Sequence, residues 1–200
     1  MDEKETRRIG QREVAREGRQ TEDSVMKLIL SDNQLKERLY VGRIIYWRKD
    51  STYRFLDYVT KEKFLVDCQP LLTEYETFDG RKLFYLIDSD IVLLSKQQRK
   101  VVCVISVKKT FRERYSQSAY WALKSKERTF EYILATPDVD REIFDPDNPE
   151  RYTKARSILE NEMNAVFVLR DDLKCGEYGK LFVGKSLFIE YLRKMCMSND

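Results

Sequence analysis

Two hundred residues, 42% of them hydrophobic and 12% aromatic, suit one domain with a real core and exclude a disordered chain. Apolar runs are far shorter than the roughly 20 residues of a membrane span, and the charged first thirty residues lack a signal core, so a cytoplasmic protein is expected, with no membrane partner. Thirty-seven basic against 34 acidic side chains give a net charge of +3, which permits a nucleic-acid partner without requiring one; the absence of histidine excludes Ser-His-Asp hydrolases, His-ligated zinc enzymes and nucleases with a His base.

Residues 1–20 are polar, with Arg7, Arg8, Arg12, Arg16 and Arg19 interleaved among acids, and are expected to form a solvated helix or arm ahead of a single domain over 21–200. A helical pattern opens at Thr21, where Val25, Leu28 and Ile29 take i, i+3, i+4 spacing, and Ser31 with Gln34 forms a capping-box pair that restarts a helix through Leu39. Residues 40–75 are rich in aromatic and β-branched side chains and read as short strands. Asp79-Gly80 signals a hairpin between LTEYETF and RKLFYLIDSDIVLL. A charged turn, KQQRK, leads into the strand VVCVISVKK. Residues 112–128 read as a helix with an apolar stripe of Tyr115, Ala119, Ala122 and Leu123. The strand FEYILAT follows, then an Asp-rich loop holding Pro137, Pro146 and Pro149. A helix near 150–162, the strand AVFVL, a turn marked by Gly176 and Gly179, and an amphipathic helix over 185–195 complete the chain. A hairpin followed by strand–helix–strand units predicts an α/β (α+β) fold, a central mixed β-sheet flanked by helices. The four cysteines are scattered, without a CxxC pair, and Cys103 falls in a buried strand, as in a reduced protein.

The chemically informative stretch is DSDIVLL (88–94), the turn, and VVCVISVKKTFRER (101–114). Phosphodiester cleavage calls for carboxylate oxygens to hold a hard divalent cation, and for a fixed positive charge to stabilise the charge that develops at phosphorus. Strand parity puts Val102, Val104, Ser106 and Lys108 on one face and Cys103, Ile105, Val107 and Lys109 on the other. If the two strands pair around the charged turn, Asp90 and Lys108 meet.

An Asp before a strand, a short gap and then acid-x-Lys on the next strand is the pattern of the PD-(D/E)XK nucleases. The chain resembles that superfamily, and within it the type II restriction endonucleases, through Asp90, fifteen intervening residues, and Ser106-Val107-Lys108. The continuation KKTFRERYSQ and the later FEYILATPDVD look like the Arg-rich helix and following strand of such enzymes. The resemblance covers roughly residues 18–195 as topology and about 86–117 as motif. It implies an endonuclease that makes sequence-specific double-strand cuts in DNA with Mg²⁺, acting as a homodimer. Asp90 would bind the metal, Lys108 would orient the attacking water or the scissile phosphate, and Arg112 and Arg114 would contact DNA. Ser89 stands where the family has Pro. Ser106, carried over as a catalytic-site position, stands where the family has an acid, so a carboxylate must come from elsewhere: Glu22, whose place resembles the N-terminal helix acid of the family and which would then be a second metal ligand, or Asp88, or Glu113. A structure-selective DNA nuclease and a non-catalytic DNA-binding module with a decayed site are the rival readings.

Overall fold

The computed structural model of the protein describes residues 3–111 and 115–198. Its longest element is α1 (Glu3–Leu30), a continuous helix rather than one that opens at Thr21. Thr21 and Ser24 donate their hydroxyls to the carbonyls of Glu17 and Gln20, so the expected start lies inside the helix. In its second half Val25, Met26 and Ile29 are buried. The polar first half, built of residues with good helix propensity, extends from a turn already formed, and extension is far easier than nucleation. The next helix, α2 (Asn33–Arg38), is capped by Asp32 and not by the predicted Ser31. The Asp32 carboxylate accepts the Leu35 N–H at 3.0 Å, while the Ser31 hydroxyl turns back to the Leu28 carbonyl.

From there the chain enters β1 (Leu39–Trp47), β2 (Thr52–Asp57) and β3 (Lys63–Leu65), joined as antiparallel neighbours. After a 3-10 turn at Gln69–Leu71, β4 (Leu72–Glu76) and β5 (Lys82–Leu86) form the hairpin expected at Asp79-Gly80, with Gly80 at φ +79°. The run RKLFYLIDSDIVLL does not stay one strand. It breaks at the acidic DSD, and β6 (Ile91–Ser95) joins the main sheet while β5 does not. The charged turn links β6 to β7 (Val101–Val107); then come α3 (Tyr115–Ser125), β8 (Glu131–Thr136), α4 (Lys154–Glu162) and β9 (Val166–Val168). Where only a turn was expected, β10 (Gly176–Tyr178) and β11 (Leu181–Val183) form a further hairpin around Gly179, ahead of α5 (Lys185–Ser198).

Among the described residues the strands make a nine-stranded sheet, in the order β10-β11-β9-β8-β7-β6-β1-β2-β3, and the separate β4-β5 pair. The neighbours β7, β8, β9 and β11 are parallel and the remaining pairs antiparallel, which is the mixed sheet predicted. Side chains of α1, α2 and α5 (Val25, Leu35, Phe188) join Val41, Ile105 and Phe167 in one core. Ala122 of α3 and Leu159 of α4 join Phe55, Val104 and Leu134 in the other, together with Leu71 and Ile87 at the base of the β4-β5 hairpin. The sheet is thus sandwiched between helices, and β7, buried along its whole length, is its centre.

Two local readings are corrected. In α3, Ala119 and Ala122 are buried, but Leu123 is 53% exposed and Ser118 and Ser125 take the buried positions instead. The buried stripe runs 118, 119, 122, 125 (i, i+1, i+4, i+7), and Leu123 falls outside it. In β7, Val102 lies in the same core as Cys103, because the register with β6 shifts after Leu93 and Leu94 pairs with Val101. One extra residue in the bulge flips the parity of Val102. Alternation resumes beyond it, so the faces assigned to Val104 and Ser106 stand. Among the described residues no helix is long and apolar enough to cross a membrane.

Candidate active site

Three strand ends meet at one rim of the sheet. β7 points toward this rim and ends before Lys108, β6 runs away from it and begins after Asp90, and β8 ends at Thr136. The connection from β5 to β6 is held from below: Ile87 is buried and donates its N–H to the Leu71 carbonyl, and the Tyr132 hydroxyl donates to the Asp88 carbonyl at 2.8 Å. Lys108 is fixed through its backbone, whose N–H prolongs the β7-β8 ladder to the Ala135 carbonyl at 3.3 Å.

The Lys108 ammonium donates to Asp90 Oδ2 at 3.0 Å and to Asp88 Oδ2 at 3.2 Å. Asp90 Oδ2 also accepts the Val107 N–H at 2.7 Å, which locks its carboxylate to the end of β7. The Lys108 side chain is only 12% exposed. Burial acts first, to lower its pKa; the negative charges of Asp90 and then Asp88 outweigh it, and the net effect raises the pKa above the ordinary lysine value. Lys108 is therefore a fixed cation throughout the neutral range. Beneath it, burial first and then the charges of Asp88 and Asp90 push the Tyr132 phenol well up, and a hydrogen bond from Ser106 opposes them. Tyr132 stays a neutral donor.

Glu22 approaches the same rim from α1. It forms an ion pair with Arg43 Nη2 on β1 at 2.7 Å. Burial raises its pKa; Arg43 counteracts, Asp90 raises it further and Lys108 lowers it, so Glu22 sits within the field of the Asp90–Lys108 pair. Lys109 turns to the opposite face and pairs with Glu17 of α1 at 2.9 Å. Ser106 is fully buried, its hydroxyl 3.3 Å from that of Ser118 on α3, and its described contacts are with the core below the carboxylates. Arg112 and Arg114, expected at the DNA, and Glu113 lie outside the described residues.

The structure thus brings Asp90, Lys108 and Asp88 into contact, sets Glu22 beside them, and leaves Ser106 underneath. Of the alternatives Glu22, Asp88 and Glu113, Asp88 is the one with a described contact to Lys108. The sequence reading passed over Arg43 and Tyr132. A lone Arg between apolar residues in VGRII, on a strand due to pair beside Asp90, was the available signal for Arg43; Tyr132 carried none. Among the described residues no group of three or more acidic or thiol side chains encloses a point on its own. The donor set still fits a hard cation of the Mg²⁺ class, because that ion commonly takes one or two carboxylates and completes its shell with water and substrate phosphate. Asp88 and Asp90, both within reach of one ammonium, are carboxylates of that kind.

Residues 79–185 match the family model described as BsaWI restriction endonuclease type 2. That segment contains Asp88, Asp90 and Lys108, whereas Glu22 and Arg43 precede it. A protein of Methanocaldococcus jannaschii assigned as type II restriction enzyme MjaVIP is 30% identical over 169 residues, which is 72% of this chain and 71% of the relative. A second, from Helicobacter pylori, assigned as type II restriction enzyme HpyAORF263P, is 35% identical over 72 residues, 33% of this chain and 37% of the relative. Among solved structures, a complex of the pre-specific restriction endonuclease BsaWI with DNA matches with 14% identity and a TM-score of 0.38, over 55% of this chain and 41% of that one.

Proposed function

Because the chain belongs to the BsaWI-type family of type II restriction endonucleases, we propose that it hydrolyses phosphodiester bonds in both strands of duplex DNA at a specific sequence, with Mg²⁺ held at the rim by Asp90 and a second carboxylate. The observation that carries this reading is the Lys108 ammonium shared between Asp88 and Asp90 at the ends of two central strands. A divalent ion held by those carboxylates would supply a Lewis acid for the phosphate and for a bound water. The protein supplies the rest. Asp90, pinned by the Val107 N–H, presents its charge without having to reorganise. Lys108, kept protonated by its two acids, orients the attacking water or stabilises the charge that grows on the phosphate.

The family acid is missing at Ser106, and a buried hydroxyl cannot replace a carboxylate charge. Asp88, 3.2 Å from Lys108, and Glu22, held by Arg43, are the two candidates for that second carboxylate. Arg112 and Arg114 follow the lysine in sequence and are the proposed base or phosphate contacts. Cutting both strands of a symmetric site calls for two such rims related by a two-fold axis, hence a homodimer on DNA.

The test is incubation with a long DNA of known sequence, with Mg²⁺ or with chelator, followed by mapping of the fragment ends. Discrete ends at one recurring sequence, present only with Mg²⁺, are expected. Cleavage confined to branched DNA would instead identify a structure-selective nuclease, and binding without cleavage, unaffected by Asp90→Ala, a decayed site.

A further inference from the structure

The β1-β2 hairpin stands past the candidate site. β1 last pairs with β6 where Gly42 lies opposite Val92, and it continues through Trp47 with only β2 beside it. By that register Arg43 is level with Ile91 and Ile44 with Asp90, so the four residues from Ile44 to Trp47 carry the hairpin about 14 Å beyond the end of β6, at about 3.4 Å per residue. A two-stranded ribbon with no third strand at its tip has no core to make there.

Its composition matches what lies beyond the rim. Between residues 43 and 63 there are six basic and three acidic side chains, a net +3 equal to that of the entire chain. The Asp57 carboxylate is spent inward, on the N–H groups of Val59 and Thr60 and the Thr60 hydroxyl. Trp47 carries two cations on its ring, Lys63 at 4.6 Å and Arg54 at 5.2 Å. At the tip Arg48 and Lys49 are exposed, and neither forms an ion pair with a described residue. Like charges gathered at one end of a nearly neutral protein repel one another, and a polyanion relieves that repulsion.

We propose that this hairpin is a DNA arm: Arg48 and Lys49 contact backbone phosphates of the duplex flanking the scissile bond, and the Trp47-held Lys63 extends the cationic strip, whereas Arg54 is paired with Asp50. The proposal rests on the reading of the chain as a DNA endonuclease. Its contacts are to phosphates and carry no sequence preference.

The experiment measures binding of a labelled duplex, with Ca²⁺ in place of Mg²⁺, across a salt series. Three double variants are compared with the parent chain: Arg48→Ala with Lys49→Ala; Arg48→Lys with Lys49→Arg; and Lys36→Ala with Lys100→Ala, which removes two exposed charges at the opposite end of the sheet. The first is expected to weaken specific and unrelated duplexes alike and to reduce the salt slope by about 2, at about 0.9 per phosphate contact. The charge-preserving and distal variants are expected to keep the parent slope. If the parent binds duplex and the tip variant has the same slope, or the distal variant loses as much, the arm is overturned while the nuclease reading stands. If the parent binds no duplex at all, the nuclease reading falls and the arm with it.

Discussion

Lys108 and Lys109 are adjacent and chemically alike, yet strand alternation gives them different partners: two carboxylates at the rim for one, Glu17 on α1 for the other. Replacing Lys108 by Ala is expected to lower cleavage by at least about 10²–10³-fold, the loss typical when a charge-stabilising donor is removed. Lys109→Ala is expected to cut at the parental rate, so a dead Lys109 variant beside an active Lys108 variant would refute the assignment. Asp90→Ala is expected to stop cleavage while DNA binding without metal is kept or tightened, because a carboxylate near phosphate repels it. Unchanged cleavage in that variant would remove Asp90 from the site. Asp88 and Glu22 separate in a Mg²⁺ titration of the cleavage rate. Whichever supplies the second carboxylate should shift the Mg²⁺ midpoint upward when changed to its amide, and an unshifted midpoint in both Asp88→Asn and Glu22→Gln would leave Asp90 the lone acidic ligand.

At the level of elements, the rim is placed by contacts far from it. Asp32 caps α2 and also receives the guanidinium of Arg193 on α5, so it ties two helices to the start of β1. Arg193 and, against some desolvation, the Leu35 N–H hold its carboxyl below the ordinary 3.8. A depressed folded-state pKa means that this contribution is complete above the unfolded value and is lost as pH falls through the folded one. The melting-temperature gap between the parent and Asp32→Asn should therefore be widest at neutral pH and close below pH 3.8; a constant gap down to pH 2 would show that the charge contributes nothing. Gly42 is the second such point. A Cβ there would stand 2.1 Å from the Leu56 carbonyl oxygen, so Gly42→Ala must push β1 from β2. A destabilisation of about 1–3 kcal/mol is expected in a denaturant titration, as for other overpacked sites. A neutral result would mean that the two strands part at little cost.

The molecule as a whole is a mixed sheet with the candidate site at one rim, and under the proposed function a single rim addresses one phosphodiester bond at a time. On cognate DNA the protein is expected to sediment with two copies of the 24.0 kDa chain and to release both strands of a plasmid site without a long-lived nicked form. A 1:1 complex that accumulates nicked circles would contradict the homodimer.

Much of this was determined by sequence. The apolar run VVCVISV marked a buried strand and Asp79-Gly80 a hairpin, because each is a property of neighbouring residues, and the absence of histidine left acid–base or metal chemistry to carboxylates, Lys, Tyr, Cys or water. The spacing from Asp90 to Lys108 was legible for the same reason: two strands joined by a short turn can pair only antiparallel, which returns the end of the second to the start of the first. What needed the tertiary structure was everything that depends on elements remote in sequence. The bulge that flips Val102 arises from the β6 register. The unbroken α1 is carried by packing of its second half against the sheet. Asp88 is held at the rim through its backbone by Tyr132, forty-four positions away. Arg43 reaches Glu22 only because α1 crosses β1 at that level. Local spacing fixes which side chains share a face; burial, register and helix crossing fix which of them meet.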